Sequence, residues 1–355
     1  MPAVVENHGH LTVLWLEGTP YEMGYQHGVA RRAAIRQLLL DEVYGREILE
    51  GGQPHGTLLA HARKLERTFP LDIRHELRGI ADGAGLSYED LLLLNLVLNR
   101  LPSGSLAPTY PFPSPPTLNF QALVFAAWSP AIHRGEAVDS ALLGYRLDAP
   151  NEAARLRRHL LAVIYRSADG QAYITLTWSG QVGAWCGLNE AGLAVCATPV
   201  ESVDTGSQEL SPAILTRQLL ARAQDGEQAL RQAIQRDYVS RFRLIVVDGK
   251  RQVATAIAFG AHRYDIAESQ TGVMAFGPGR AQLIRLLDDN LGWLHGNKAL
   301  AVLSSRQAPE GDKLGPCGES TLLNAMFAPS SGELWVGLDL WPASCRRYLR
   351  LRLAS

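Results

Sequence analysis

Apolar positions follow two regimes along the chain. Leu11–Leu16 (LTVLWL) is a short β-rich run that ends at Gly18. The segment from Tyr21 to Leu49 then reads as helix, with Thr19 as cap and Pro20 at the first helical position. Gly24 and Gly28 interrupt it at i, i+4, which predicts close helix packing rather than a break. Further helices are expected over Leu58–Phe69, Asp72–Ala84 and from Ser87 through the run Leu91–Leu98. The segment 101–117 holds six prolines and forms no regular element. Beyond it the pattern becomes β. Phe120–Trp128 pairs with Ala141–Leu147, Ala162–Arg166 with Tyr173–Trp178, Ala184–Leu188 with Leu193–Thr198, and Arg243–Asp248 with Val253–Phe259. Helices are expected at Pro212–Ala223, Gly226–Gln235 and Arg280–Leu291, and strands at Ser320–Ala328, Glu333–Leu338 and Tyr348–Leu353. Hairpins interrupted by helix pairs predict an α+β fold with helices on the outer faces of the sheets. The expected organisation is one integrated domain: a strand and helical region over 1–100, a Pro-rich loop over 101–119, and a core over 120–355.

Composition narrows the function classes. The chain has 355 residues, 46% hydrophobic and 19% charged, with a formal net charge of −1. That is a globular balance with no electrostatic footprint for nucleic acid or for a polybasic membrane contact. The four cysteines, Cys186, Cys196, Cys317 and Cys345, form no CxxC pair, so neither a disulfide scaffold nor a cysteine zinc site is expected. His8 and His10 alternate near the N-terminus and read as solvated; no metal is expected. No apolar signal core opens the chain and no stretch reaches membrane-spanning length, so the expectation is a cytoplasmic protein. HExxH, GxSxG, P-loop and GxGxxG motifs are absent. FGPGRAQ (276–282) is a Gly-rich turn before a helix, a weak anion site without Lys-Ser/Thr.

Five motifs go further when read in order: GTPYEMGYQHG (18–28), ELRGIADGAGLSYEDLLLLN (76–95), WSGQVGAWCGLNEAGLAVCATPV (178–200), SPAILTRQLLARAQDGEQAL (211–230) and STLLNAMFAPSSGELWVGLDLWPASCRRY (320–348). Together they resemble the isopenicillin-N acyltransferase-like family of N-terminal nucleophile hydrolases. The resemblance implies a four-layer αββα sandwich of two antiparallel sheets between helix layers. It implies an amide hydrolase or acyltransferase, in which a precursor cleaves itself before a Cys at the start of a central strand. That Cys supplies both the thiol nucleophile and an α-amine that serves as base.

The residues here depart from that pattern. The expected nucleophile position falls at Phe120, Gln121 or Ala122, and none carries a nucleophilic group. Thr117 is the nearest hydroxyl before the strand and the candidate for a displaced N-terminal nucleophile; its other reading is loop after Pro115-Pro116. Ser129 is a further hydroxyl to consider for that place. The family's Arg-Asn-Leu-Asp segment corresponds to Tyr145-Arg146-Leu147-Asp148. The resemblance sets Asp148 against the nucleophile's amine, where a carboxylate favours the charged form; the local reading is an Asp ending a strand. The family's oxyanion-side Asn is missing from Gly272–Gly279, the loss of a donor worth about 3 kcal/mol. Asn189 is retained and reads either as a second oxyanion-side group or as hairpin-turn chemistry. His27 reads as a packed or capping histidine. Phe120, Gln121, Ala122, Tyr145, Arg146 and Trp178 are expected to line the pocket, and Asp148 with Tyr145 to offer acid–base groups if their strand bends. The implied ligand is a small acyl or amide compound, without cofactor, nucleic acid or membrane, in a chain that can form homo-oligomers. Two function classes follow: an amide-bond enzyme with altered nucleophile chemistry, or an inactive homologue acting as a binding module.

Overall fold

The computed structural model describes residues 2–99, 120–132, 140–149, 151–168, 170–199, 211–235, 242–260, 263–267, 269, 271–303, 321–338 and 347–353. Strands β1 (Val4–His8) and β2 (Leu11–Gly18) open the chain. Helix α1 (Pro20–Leu38) starts from the Thr19–Glu22 capping box, and a wide π-helical stretch, Leu39–Glu50, continues it. Helices α2 (His55–Glu66), α3 (Leu71–Ala84) and α4 (Tyr88–Leu98) follow. The β-rich part begins with β3 (Gln121–Trp128) and β4 (Ala141–Asp148). A 3₁₀ segment, Asn151–His159, then leads to β5 (Leu160–Ser167), β6 (Tyr173–Trp178), β7 (Cys186–Asn189) and β8 (Leu193–Pro199). After α5 (Pro212–Arg222) and α6 (Gly226–Ile234) come β9 (Phe242–Asp248), β10 (Val253–Gly260), β11 (Arg263–Ala267) and β12 (Val273–Phe276). Helices α7 (Arg280–Asp288) and α8 (Gly296–Leu303) and strands β13 (Thr321–Ala328), β14 (Glu333–Gly337) and β15 (Tyr348–Arg352) complete it.

Among the described residues the strands form two sheets. The larger runs β1-β2-β5-β6-β7-β8-β9-β10-β11 and the smaller β12-β3-β4-β13-β14-β15. Helices α1, α5 and α6 pack on the larger sheet, and α7 and α8 on the smaller. The architecture is therefore the four-layer αββα sandwich, an α+β fold. One expectation needs correction: the sheets are not wholly antiparallel, because β2 pairs parallel to β5. That pairing brings the N-terminal strands into the same sheet as β5–β11.

Alternation along the strands assigns the faces. Leu123, Phe125, Ala127 and Leu142 pack with Leu283, Leu287, Leu300 and Leu303 in the core beneath α7 and α8. Val124, Ala126, Leu143 and Tyr145 point the other way, into the core between the sheets with Leu176, Cys186 and Cys196. The closest helix pair is α1 and α3, and glycines allow it. A Cβ on Gly24 or Gly28 would stand 2.1 Å from Glu76 O or 2.3 Å from Ile80 O. The reciprocal positions Gly79 and Gly83 face Tyr21 O and Tyr25 O at 2.1 and 2.3 Å. The expected close packing at Gly24 and Gly28 is thus backbone on backbone.

Candidate functional site

The positions 120–122, where the resemblance implies a nucleophile, lie at the start of β3. Phe120 is buried, Gln121 exposed and Ala122 almost buried. Gln121 sits opposite Asp148 on β4, and Asp148 lies opposite Thr321 on β13. The Asp148 carboxylate is fully engaged. Arg146 Nε donates to it at 3.0 Å, with the second carboxylate oxygen at 2.9 Å, and Thr321 Oγ1 donates at 2.6 Å. Arg157 Nη2, from the 3₁₀ segment, donates to Thr321 O at 2.7 Å and braces that partner in turn. Arg146 is 3% exposed, so its guanidinium is a buried cation that needs Asp148 as counter-ion. Beside these strands, Phe276 pairs with Val124, and a Cβ on Gly277 (φ +107°) would stand 2.0 Å from Ala122 O. Only glycine permits so close a turn against position 122.

The remaining expected site residues divide. Tyr145 belongs to the core between the sheets, so it and Asp148 point to opposite faces. β4 keeps an unbroken register with β3, and the irregularity in its pairing with β13 at Thr321/Leu323 leaves Tyr145 in the core between the sheets, away from Asp148. Burial pushes the Tyr145 hydroxyl far up, and the neighbouring Cys186 and Cys196 add to the shift. Burial likewise raises both thiols, which are neutral and inert there. Asn189 is fully buried and its amide is spent on backbone: Nδ2 donates to Leu220 O and Ala223 O at 3.1 and 2.9 Å, and Oδ1 accepts from Leu193 N at 3.0 Å. It ties the β7–β8 turn to the end of α5. Trp178, buried at the end of β6, stands opposite Leu160, where the 3₁₀ segment delivers the chain from β4 into β5. Ser129 follows the far end of the eight-residue β3, roughly 23 Å from position 122 at about 3.3 Å per residue, and cannot take the nucleophile's place. Thr117, Cys317 and Cys345 lie outside the described residues.

A second polar cluster, under α1, α3 and α5, escaped the reading of the sequence. Arg217, on a helix whose residues 212–220 are all buried, pairs with Glu76 of α3 at 2.8 Å. Its Nε donates to Tyr173 Oη at 2.8 Å and its plane lies 3.7 Å from the Tyr165 ring centroid. Burial pushes the Glu76 carboxyl up against the pull of Arg217. A cleft of about 300 Å³ opens above this pair, between Met23, Ile73 and Gln218. The available signal was an arginine, with Thr216 and Gln218 beside it, set between the apolar runs Ala213–Leu215 and Leu219–Ala221. Nearby, His27 is fully buried and its Nε2 accepts from Gly180 N at 3.0 Å; burial, with Arg31 and Arg217, lowers its pKa to about 3. It is a packed neutral histidine. Among the described residues no group of three or more His, Cys, Asp or Glu side chains gathers to hold a metal, and no helix is long and apolar enough to cross a membrane.

Residues 148–275, from the end of β4 into β12, match a family model described as acyl-coenzyme A:6-aminopenicillanic acid acyl-transferase. The resemblance to this acyltransferase family is borne out. Two curated relatives match more distantly. An uncharacterized protein of Archaeoglobus fulgidus is 28% identical over 212 residues, 54% of this chain and 33% of that protein. Protein dcd1B of Dictyostelium discoideum is 21% identical over 208 residues, 52% of this chain and 37% of that one. The matches thus span about a third of the length of these relatives. Among solved structures, a Caenorhabditis elegans ortholog of N-acylethanolamine-hydrolyzing acid amidase is similar over 65% of this chain and 100% of that one, with 14% identity and a TM-score of 0.47. A conjugated bile acid hydrolase variant from Clostridium perfringens covers 65% of this chain and 92% of its own, with 9% identity and a TM-score of 0.40. Over residues 148–275, then, the chain is similar to an acyltransferase family.

Proposed function

We propose that this chain is a binding member of the acyltransferase-like kind, which has lost the nucleophile and holds a small acyl or amide ligand at the start of β3. One observation carries the reading: the Asp148 carboxylate is already paired with the Arg146 guanidinium and accepts from the Thr321 hydroxyl. In the family that carboxylate faces the ammonium of a freed N-terminal residue. Here a guanidinium from the same strand takes the ammonium's place, beside a position 122 that offers only a methyl group. With its charge partner supplied from within, the site needs no new N-terminus. The two thiols, opposed in register yet unbonded, fit a reducing, cytoplasmic compartment.

The intact mass of the purified protein under denaturing conditions tests this. A single full-length mass is expected. Two masses summing to the whole, with a new N-terminus at Thr117 or between 114 and 122, would replace the reading with an active hydrolase whose nucleophile has moved.

A further inference from the structure

Resting on that reading, we infer that the ligand is a carboxylate, and that Arg243 and Arg280 hold its anionic group. Arg243 comes from the first turn of chain in β9. Its neighbour Ile245 stands opposite Cys196, so Arg243 lies on the face of the larger sheet that looks at the smaller one. It crosses the gap: its guanidinium sits 4.2 Å from the centroid of the Phe276 ring, on β12 of the other sheet. Phe276 is paired with Val124, and the next residue, Gly277, is packed on Ala122 O. Arg243 therefore bridges the two sheets at Phe276, one residue before the glycine packed on Ala122, within the stretch 120–122 expected to carry the nucleophile.

Its charge is unanswered. Arg243 is half-buried and, among the described residues, has no carboxylate within ion-pair distance; neither has Arg280, which is exposed at the start of α7. The charged neighbour that Arg243 feels is Arg280, and burial together with that like charge lowers its pKa. The fully buried arginines Arg217 and Arg146 are matched by Glu76 and Asp148, and the half-buried Arg31 is held by the Ser179 and Thr12 hydroxyls. A partly desolvated cation beside a second cation raises the energy of the empty site and favours an incoming anion. The planar guanidinium, held by stacking on Phe276, suits the two oxygens of a carboxylate in a bidentate pair. The half-buried Phe276 ring beside it suits an apolar tail.

Octanoate and its neutral analogue octanamide are suitable probes, titrated calorimetrically into the full chain. The wild type is expected to bind octanoate about tenfold more tightly than octanamide, with a preference that shrinks as salt is added. Arg243→Gln should abolish the preference. Arg243→Lys keeps a charge and should retain part of it, and Arg280→Gln, at an exposed position, should lower it; these two serve if Arg243→Gln does not fold. Equal binding of both probes by the wild type, or a preference unchanged in Arg243→Gln and Arg280→Gln, overturns the carboxylate assignment and leaves the acyl-binding reading standing. Failure of both probes to bind overturns the acyl-binding reading and this inference with it.

Discussion

At the scale of single residues, what surrounds a side chain decides its role. On sequence alone Asp148→Asn is expected to leave folding nearly unchanged, because an Asp at a strand end reads as surface. The ion pair reverses this. Arg146 is buried and would lose its counter-ion, so Asp148→Asn should cost about 2 kcal/mol, read as a lower denaturant midpoint with unchanged slope. An unchanged midpoint would remove the pair from the account. His27 makes a pH prediction. Its pKa is about 3 in the fold against 6.5 as the ordinary value, so the unfolded chain binds the extra proton between those pH values. Stability present above pH 6.5 is therefore lost as the pH falls toward 3, by at most about 1.4 kcal/mol per pH unit from this group. His27→Gln, whose amide oxygen can still accept from Gly180 N, should flatten the acid limb of stability against pH. The packing of His27 was legible in the sequence, but the Asp148 ion pair was not: an aspartate before a turn looks the same whether wet or buried.

At the scale of elements, the helix pair α1 and α3 carries the sharpest constraint. Gly28→Ala would drive a methyl group to 2.3 Å from Ile80 O and 2.8 Å from Ala84 N, so the helices must separate. A loss of about 3 kcal/mol or more is expected in chemical denaturation. Gly56 is the control: it lies in α2 with nothing within 4 Å of its Cβ position, and Gly56→Ala should stabilise by roughly 0.5–1 kcal/mol. Elements were largely legible where periodicity was strong. The expected β3, β6 and α3 lie within a residue or two of the observed bounds. The chain over Leu39–Glu50 read as ordinary helix yet widens to π geometry, which periodicity over one apolar face does not distinguish. Strands β1, β11 and β12 were missed: β1 and β11 are sheet edges with outward-facing polar residues, and β12 is only four residues long.

At the scale of the whole molecule, the four layers bring together three stretches of chain, β3, β4 and β13, that hold Gln121, Asp148 and Thr321 in one row. That row stays closed on itself through Arg146, and the expected consequence is a chain that purifies in one piece. The sequence by itself determined most element types, the α+β class and the absence of Cys, Ser or Thr at 120–122, because hydrophobic period, turn residues and side-chain identity are local properties. It carried the family resemblance for the same reason, as short motifs kept in order. Only the tertiary structure decided which charges meet. Arg217 and Glu76 are 141 residues apart, Thr321 and Asp148 are 173 apart, and Arg243 reaches Phe276 across two sheets. Such pairs leave no periodic trace. They exist because packing removes water from both partners, and a charge without water must find another charge, or wait for a ligand that brings one.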